Sequence, residues 1–268
     1  MPNSVTVRVP ATSANLGPGF DSLGLALALT QDVTVALGHQ PETDDGLVRL
    51  VLDAARSAYR LARVQVPELC ASGEQTIPIG RGLGASAAAR AAGIVGANAL
   101  MGGKLSDAQM LSLGAGLEGH ADNMAPALFG GLRVVVRDGD AFRHIAATLA
   151  PGLKIVLFVP DFEMPTSESR KLLPAQLSKD DAVFNIGRAA LLVAALAKGE
   201  WSALDLATQD RLHQPARARI FPGMPGIFAA AKEAGALCAY LSGAGSTIAA
   251  FAVDGEERIA RAMLQAAI

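Results

Sequence analysis

Cysteine is nearly absent from the 268 residues: Cys70 and Cys238 are the only two, far apart, with no metal-like spacing and no neighbouring histidine. Both are expected to be reduced and buried as small apolar residues. Runs of basic residues are missing too. With 23 Lys and Arg against 25 Asp and Glu, the net charge is −2, which excludes a basic footprint for nucleic acid or for an anionic membrane surface. No apolar segment is long: the longest, Ala189–Ala197, is about half of what spans a bilayer. The opening MPNSVTVRVP lacks the basic-then-apolar order of a signal peptide. Low-complexity linkers and internal repeats do not occur. By elimination the expectation is a soluble, cytoplasmic protein whose partners are small molecules or another copy of itself. Its length, with 51% hydrophobic and 18% charged residues, allows one large or two modest domains.

Against that background one stretch stands out, Pro78 to Gly93, PIGRGLGASAAARAAG. Gly80, Gly82 and Gly84 free the backbone for close approach to a ligand, and Ser86 stands where a helix would begin, followed by the strong helix formers Ala87 to Ala92. A glycine-rich turn feeding a helix N-terminus leaves amides unpaired at the positive end of a dipole, an arrangement suited to phosphate. Two phosphate fingerprints do not apply. A Walker loop requires a Lys that is missing here. A dinucleotide fingerprint requires an acidic residue about 20 residues on, where Met101 to Lys104 stands instead. The alternative is a glycine turn with no ligand.

Two further clusters carry polar chemistry. In ATSANLGPGFDSLGLALAL, Gly17, Pro18 and Gly19 force a turn, with Asn15 and Asp21 beside it. These two either hold an ammonium or hydroxyl group or satisfy turn amides, as Asn and Asp commonly do. In LEGHADNMAPALFGG, Glu118, His120, Asp122 and Asn123 fall within six residues, at a helix end and the turn after it. A carboxylate near a triphosphate is a plausible Mg²⁺ ligand, because Mg²⁺ takes one or two protein oxygens plus phosphates. Glu118 and the Ser86 hydroxyl would serve. Taken singly, Glu118 reads equally as a surface carboxylate and His120 as a capping or core histidine.

Around these clusters the periodicity predicts strands at 4–10 and 23–29, and helices at Gly46–Leu61, from the glycine loop to about Leu100, and at Ala108–Leu117 with Ser106 as N-cap. The alternating LRVVVR closes a first domain. The Pro-Gly at 151 sets the expected boundary, giving domains 1–150 and 151–268. The second half reads as a strand at Lys154–Val159 and helices at Thr166–Leu172, Ala182–Ala197, Trp201–Leu212 and Met224–Ala234. Strands at Leu237–Leu241 and Thr247–Val253, joined by SGAGS, and a last helix at Glu256–Ala267 follow. This order suits a ferredoxin-like α+β domain. Arg188, Arg217 and Arg219 present forks that match a carboxylate, or are solvated surface residues. SGAGS is an ordinary hairpin turn, or one that approaches the glycine loop.

Several segments together resemble one family. VPATSANLGPGFDSLGLAL is similar to the opening P-x-S-x-A-N-L-G-P-G-F-D-x-L-G-x-A-L of homoserine kinases, members of the GHMP small-molecule kinases. PIGRGLGASA resembles their P-x-G-x-G-L-G-S-S-A, LEGHADNMAP their E-G-H-x-D-N-V-A-P, and SGAGST their S-G-A-G-P-T. The resemblance runs from about Val5 to Phe251. It implies an α+β two-domain fold, the N-terminal domain like ribosomal-protein S5 domain 2 and the C-terminal one ferredoxin-like. It implies transfer of the ATP γ-phosphoryl group to the side-chain hydroxyl of L-homoserine, with Mg²⁺ as cofactor, and a homodimer.

Residue by residue, the resemblance assigns the ATP phosphates to Pro78, Ile79, Gly80, Arg81, Gly82, Leu83, Gly84, Ala85, Ser86, Ala87 and Ala88. Mg²⁺ goes to Ser86 and Glu118, and the substrate amino group to Asn15 and Asp21. Catalytic roles fall on Asn123, His120 and Glu118, with His120 and Asn123 orienting the substrate and Thr166 close by. Arg188 and Arg217 clamp its carboxylate, Arg219 being a register alternative to Arg217. Some relatives use an Asp base with a Lys partner; no matching motif carries such a pair here, which favours a mechanism without a dedicated base. Three positions depart from the pattern: Ala85 and Ser246 stand where Ser and Pro are usual, and Ala121 replaces another Pro. Two other readings remain at this point: a sibling kinase acting on threonine, shikimate, mevalonate or a sugar, and a non-catalytic amino-acid or nucleotide sensor.

Overall fold

The structure, a computed structural model, describes residues 2–268. In chain order the first half contains β1 (Ser4–Ala14), β2 (Leu23–Leu37), α1 (Gly46–Leu61), β3 (Leu69–Gly73), α2 (Ala85–Leu100), α3 (Asp107–Glu118), α4 (Met124–Phe129), β4 (Leu132–Asp138) and β5 (Ala141–Ala147). The second half contains β6 (Lys154–Phe158), α5 (Thr166–Lys171), α6 (Lys179–Lys198), α7 (Leu204–Ala207), α8 (Gln214–Arg217), α9 (Met224–Glu233), β7 (Cys238–Leu241), β8 (Ile248–Ala252) and α10 (Glu256–Ala266). The mixed content is that of an α+β fold.

Two compact units emerge. The first takes the chain up to Thr12, Gly24–Ile79 and Gly84–Ala146; the second takes Ser13–Leu23, Gly80–Leu83 and Ala147–Ile268. The main division therefore falls at Ala146–Ala147, not at the expected 150, and two short excursions, both in the motifs singled out above, join the second unit. Each excursion makes its contacts with the second unit while its flanks belong to the first.

In the first unit a five-stranded sheet has the order β1-β2-β4-β5, with β3 paired antiparallel to β2, Val33 opposite Gly73 and Leu37 opposite Leu69. Helix α1 starts where Asp45 accepts hydrogen bonds from the amides of Leu47 and Val48. Its buried stripe, Leu47, Val51, Leu52, Ala54, Ala55 and Ala58, has helical spacing. It packs on α2, which is buried nearly all round through Ala87, Ala88, Ala91, Ala92, Ile94 and Ala97.

The second unit is built on a three-stranded sheet of order β6-β8-β7. β8 is its centre: Lys154 lies opposite Ala252, and Cys238 opposite Phe251. All of Ile248 to Ala252 is buried. Helices α9 and α10 cover the sheet with Met224, Ile227, Ala231, Ile259 and Met263 against Val156, Leu241, Ile248 and Ala250. Full burial of the Met, Ile, Val and Leu side chains among them stabilises by about 1.5–3 kcal/mol each. Of the two cysteines, Cys238 is buried as expected, and its desolvated thiol is pushed up to about 12; Cys70 is only half-buried.

Candidate active site

The polar cluster of the first unit begins at the N-terminus of α2. Its N-cap, Gly84, is left-handed at φ 68°, and no side chain caps the helix. A Cβ on Gly84 would lie 1.9 Å from Thr12 Oγ1 and 3.1 Å from Asn123 Oδ1, so glycine is needed for space as well as for conformation. Thr12 Oγ1 in turn donates to Asn123 Oδ1 at 2.8 Å. The opening turn of α2, with its uncapped amides, is thus held against Asn123.

Helix α3 delivers the rest. Ser106 and Gln109 form a capping box at its start, and Gly119 ends it at φ 83°, so that the chain reverses immediately after Glu118. The reversal brings His120 Nδ1 to 3.0 Å from Asp122 Oδ1, and that same oxygen accepts from the Asn123 amide at 3.0 Å. His120 Nε2 is 4.0 Å from Glu118 Oε2. Across from it, Ser86 Oγ donates to Glu118 Oε1 at 2.6 Å. Ser86, Glu118, His120 and Asn123, all named from the sequence, are therefore brought together. Arg90 joins them: its Nη1 donates to Ser86 Oγ at 2.5 Å and makes a close ion pair with Glu118 Oε1.

The second unit holds the beginning of the glycine loop. Gly80 O accepts from the Met164 amide at 3.1 Å, Arg81 O from the Thr247 amide at 3.0 Å, and Gly82 O from Ser242 Oγ at 2.7 Å. In a trans peptide the next N–H points opposite to the carbonyl. The amides of Arg81, Gly82 and Leu83 therefore point away from these partners. A Cβ on Gly82 would sit 2.2 Å from Ser242 O, so the SGAGS turn does approach the loop. Arg81 itself donates to Pro160 O at 2.8 Å. Pro78 is half-buried and Ile79 exposed, whereas Ala85 is half-buried and the Ala87 and Ala88 side chains are buried. Any contact of Ala87 or Ala88 with phosphate would be through backbone.

The segment 13–23 also belongs to this unit. Three of its non-glycine residues are left-handed, Asn15 (φ 67°), Leu16 (φ 49°) and Asp21 (φ 55°), a local strain of the kind that clusters at functional sites. Asn15 is 3% exposed; its Nδ2 donates to Gly243 O at 2.9 Å, and its Oδ1 accepts from the Asp21 amide at 3.1 Å. Of the two roles open to it, Asn15 fills the one that satisfies turn groups. Asp21 is held by a bidentate Arg170 fork at 2.9 and 2.5 Å. Thr166 is exposed at the start of α5, one turn before Arg170.

The two arginines expected to share a carboxylate keep different company. Arg217 is 1% exposed, donates from Nη1 to Gly243 O and to His213 Nδ1, both at 2.9 Å, and lies 5.7 Å from the Phe20 ring centre. Because His213 Nδ1 accepts, its Nε2 carries the proton and donates to Gly17 O at 2.7 Å. Burial pushes the His213 pKa down to about 4, so the ring is neutral. Arg188 instead lies on the face of Phe184, 3.1 Å from the ring centre, and reaches Gln209 at 3.3 Å. Arg219, the register alternative, follows α8 and is exposed.

Three contributors were not named from the sequence: Arg90, Arg170 and His213. Arg90 was legible in principle, being a cation four residues after Ser86 in an alanine-rich helix. Arg170 pairs with a residue 149 positions away, which no local signal marks.

Comparison with known proteins agrees with this geometry. The model of the GHMP kinase N-terminal domain matches residues 47–131 and that of the GHMP kinase C-terminal domain residues 192–268. Homoserine kinase of Moorella thermoacetica is 44% identical, over 97% of this chain and 91% of its own, and that of Synechococcus sp. is 43% identical over 97% and 90%. The crystal structure of homoserine kinase from Cytophaga hutchinsonii superposes with a TM-score of 0.88 at 31% identity, covering 99% of this chain and 91% of that one. With both halves matched and near-complete coverage of relatives above 40% identity, the chain belongs to the homoserine kinase family of the GHMP kinases.

Proposed function

We propose that this protein transfers the γ-phosphoryl group of ATP to the side-chain hydroxyl of L-homoserine, giving O-phospho-L-homoserine and ADP. The hydroxyl oxygen bonds to the γ-phosphorus, the bond from that phosphorus to the β,γ-bridging oxygen breaks, and the hydroxyl proton leaves to a phosphate oxygen or water. The observation that carries the reading is the Ser86–Glu118 pair, 2.6 Å apart at the uncapped start of α2, in a chain of this family. Such a pair is what a phosphoryl-transfer site requires of the protein, since positioning and charge neutralisation supply most of the barrier reduction.

In this reading the amides of Gly80 to Ala88 bind the phosphates. Ser86 and Glu118 are the residues that would hold Mg²⁺, and the donor set fits: two hard oxygens already close enough for one cation to touch both, as Arg90 does. No cluster of three or more His, Cys, Asp or Glu side chains among the described residues competes for that role. When bound, Mg²⁺ neutralises charge on the transferring phosphates. Asn123, held by Thr12, and His120, held by Asp122, are assigned to orient the substrate hydroxyl, and Thr166 to a supporting role beside it. Asn15 and Asp21 take the substrate ammonium, Asn15 also holding Asp21 through its backbone amide. Arg217 and Arg188 are assigned to the carboxylate. We assign a homodimer as the working assembly, which light scattering of the purified chain tests.

The discriminating experiment is phosphoryl transfer from ATP and Mg²⁺ to L-homoserine, L-threonine, L-serine, shikimate and mevalonate. A clear preference for L-homoserine is expected. Turnover of another acceptor would keep the phosphate site and discard the substrate; nucleotide binding with no turnover would point to a sensor.

A further inference from the structure

Arg90 lies in the most apolar helix of the first unit. Ala87, Ala88, Ala89, Ala91 and Ala92 around it are 1% exposed or less. The Arg90 side chain is itself only 21% exposed, and a part-buried guanidinium is costly unless it is paired. One turn beyond Ser86, its side chain runs back along the helix toward the N-terminus, as helical geometry dictates. There a single nitrogen, Nη1, bridges Ser86 Oγ and Glu118 Oε1, with the Glu118 side chain only 8% exposed. These are the same two oxygens assigned above to Mg²⁺. The two cations cannot share them. Like charges in contact with one carboxylate oxygen repel strongly in a part-buried site, and Mg²⁺ requires a compact octahedral shell of oxygens that leaves no room for an N–H donor.

We infer that Arg90 is a resident cation guarding the Ser86–Glu118 pair: it neutralises Glu118 in the nucleotide-free protein and must swing off before a divalent metal can be ligated. The inference rests on the reading of Ser86 and Glu118 as metal ligands. Its consequence is a conformational cost on metal binding. If the pair is open in about one molecule in ten, apparent metal affinity is about tenfold below that of the open site. Free metal is then held poorly, and metal carried in on nucleotide, which brings its own phosphate ligands, is favoured.

The test is a titration of Mn²⁺ alone, followed by the electron paramagnetic resonance signal of the free ion. It compares wild type with Arg90→Met, Arg90→Gln and Arg90→Lys, each checked for folding by circular dichroism. Both neutral variants are expected to bind Mn²⁺ about tenfold more tightly than wild type, because the open site is then fully populated. Arg90→Lys, which keeps a cation, is expected to stay near wild type, and adding Glu118→Gln to Arg90→Met should abolish the gain. Equal or weaker binding in the neutral variants, or no binding in any, overturns the inference. Wild-type transfer to L-homoserine is measured alongside. Turnover without a gain in the neutral variants discards the guard and keeps the function, whereas a gain without turnover does the reverse.

Discussion

Two carboxylates of this protein expected to receive cations already hold arginines, and the two pairs differ in build. Glu118, in the first unit, is 8% exposed and meets Arg90 through one nitrogen that also bridges Ser86; both residues come from helices, α2 and α3. Asp21, in the second unit, is 37% exposed and meets a bidentate fork from Arg170, which is 33% exposed. The geometrically better pair is thus the wetter one. Burial strengthens a charge contact and raises the cost of leaving one partner alone, whereas water screens an exposed fork and makes its release cheap. The first pair therefore behaves as a switch between two occupants, and the second as a loosely held placeholder.

The sharpest way to break this comparison is Glu118→Gln. It removes a charge that serves the metal, Ser86 and Arg90 together, so kcat should fall on the order of 10²–10³-fold. A steady-state assay at saturating ATP, L-homoserine and Mg²⁺ measures it. Retention of most of kcat would mean that Glu118 does no more than pair Arg90.

Next in size is an acid effect behind Asp21. Buried His213 has its pKa lowered to about 4 in the folded protein from an ordinary 6.5, so the unfolded chain binds the proton more readily. Its contribution to stability is complete above pH 6.5 and is lost as the pH falls from 6.5 toward 4, to a limit of about 3 kcal/mol. Urea unfolding at pH 7.5 and pH 5 should show the loss, and His213→Gln should flatten the difference. The same loss in the variant would assign the effect to other groups.

How much of this could be read from the chain follows from the range of each interaction. Helix α1 is where the pattern put it, Gly46–Leu61, because an Asp cap and an apolar stripe are local signals. The helix expected at 201–212 breaks at Thr208. Thr208 turns its hydroxyl back to Leu204 O, and Asp210 draws the amides of Leu212, His213 and Gln214 onto its carboxylate. Strands β3 and β5 were not foreseen; β3, five residues long, owes its place to a partner more than thirty residues away. At the site, the glycine loop, Ser86 and the Glu118–Asn123 run were legible because glycine, caps and spacing act within a turn or two. Asp21 was visible, but its partner Arg170 was not, since pairing over 149 residues is decided by tertiary packing alone.

A third test addresses Asp21. If it receives the substrate ammonium, Asp21→Asn should raise KM for L-homoserine about tenfold, the worth of one part-exposed charge contact, while kcat changes less. The contrast with Glu118→Gln, which acts on kcat, is the measurable form of the comparison. A kcat loss without a KM change would move Asp21 from substrate binding to catalysis.

The smallest effect expected is that of Arg170→Met. The Asp21–Arg170 fork is about one-third exposed, and pairs so placed are worth about 1 kcal/mol at most after screening. Releasing Asp21 from it should tighten L-homoserine by no more than about fivefold, the ratio that 1 kcal/mol allows. Arg170 also packs 5.2 Å from the Phe20 ring centre, so methionine, which keeps the apolar stem, is the appropriate replacement. Isothermal titration of L-homoserine in the presence of a non-hydrolysable ATP analogue, at low and high salt, separates the terms. A gain that shrinks with salt in the wild-type-to-variant difference is the signature of a screened placeholder. A loss of affinity would instead make Arg170 a substrate contact in its own right, and the two arginines would then differ in function rather than only in how firmly they are held.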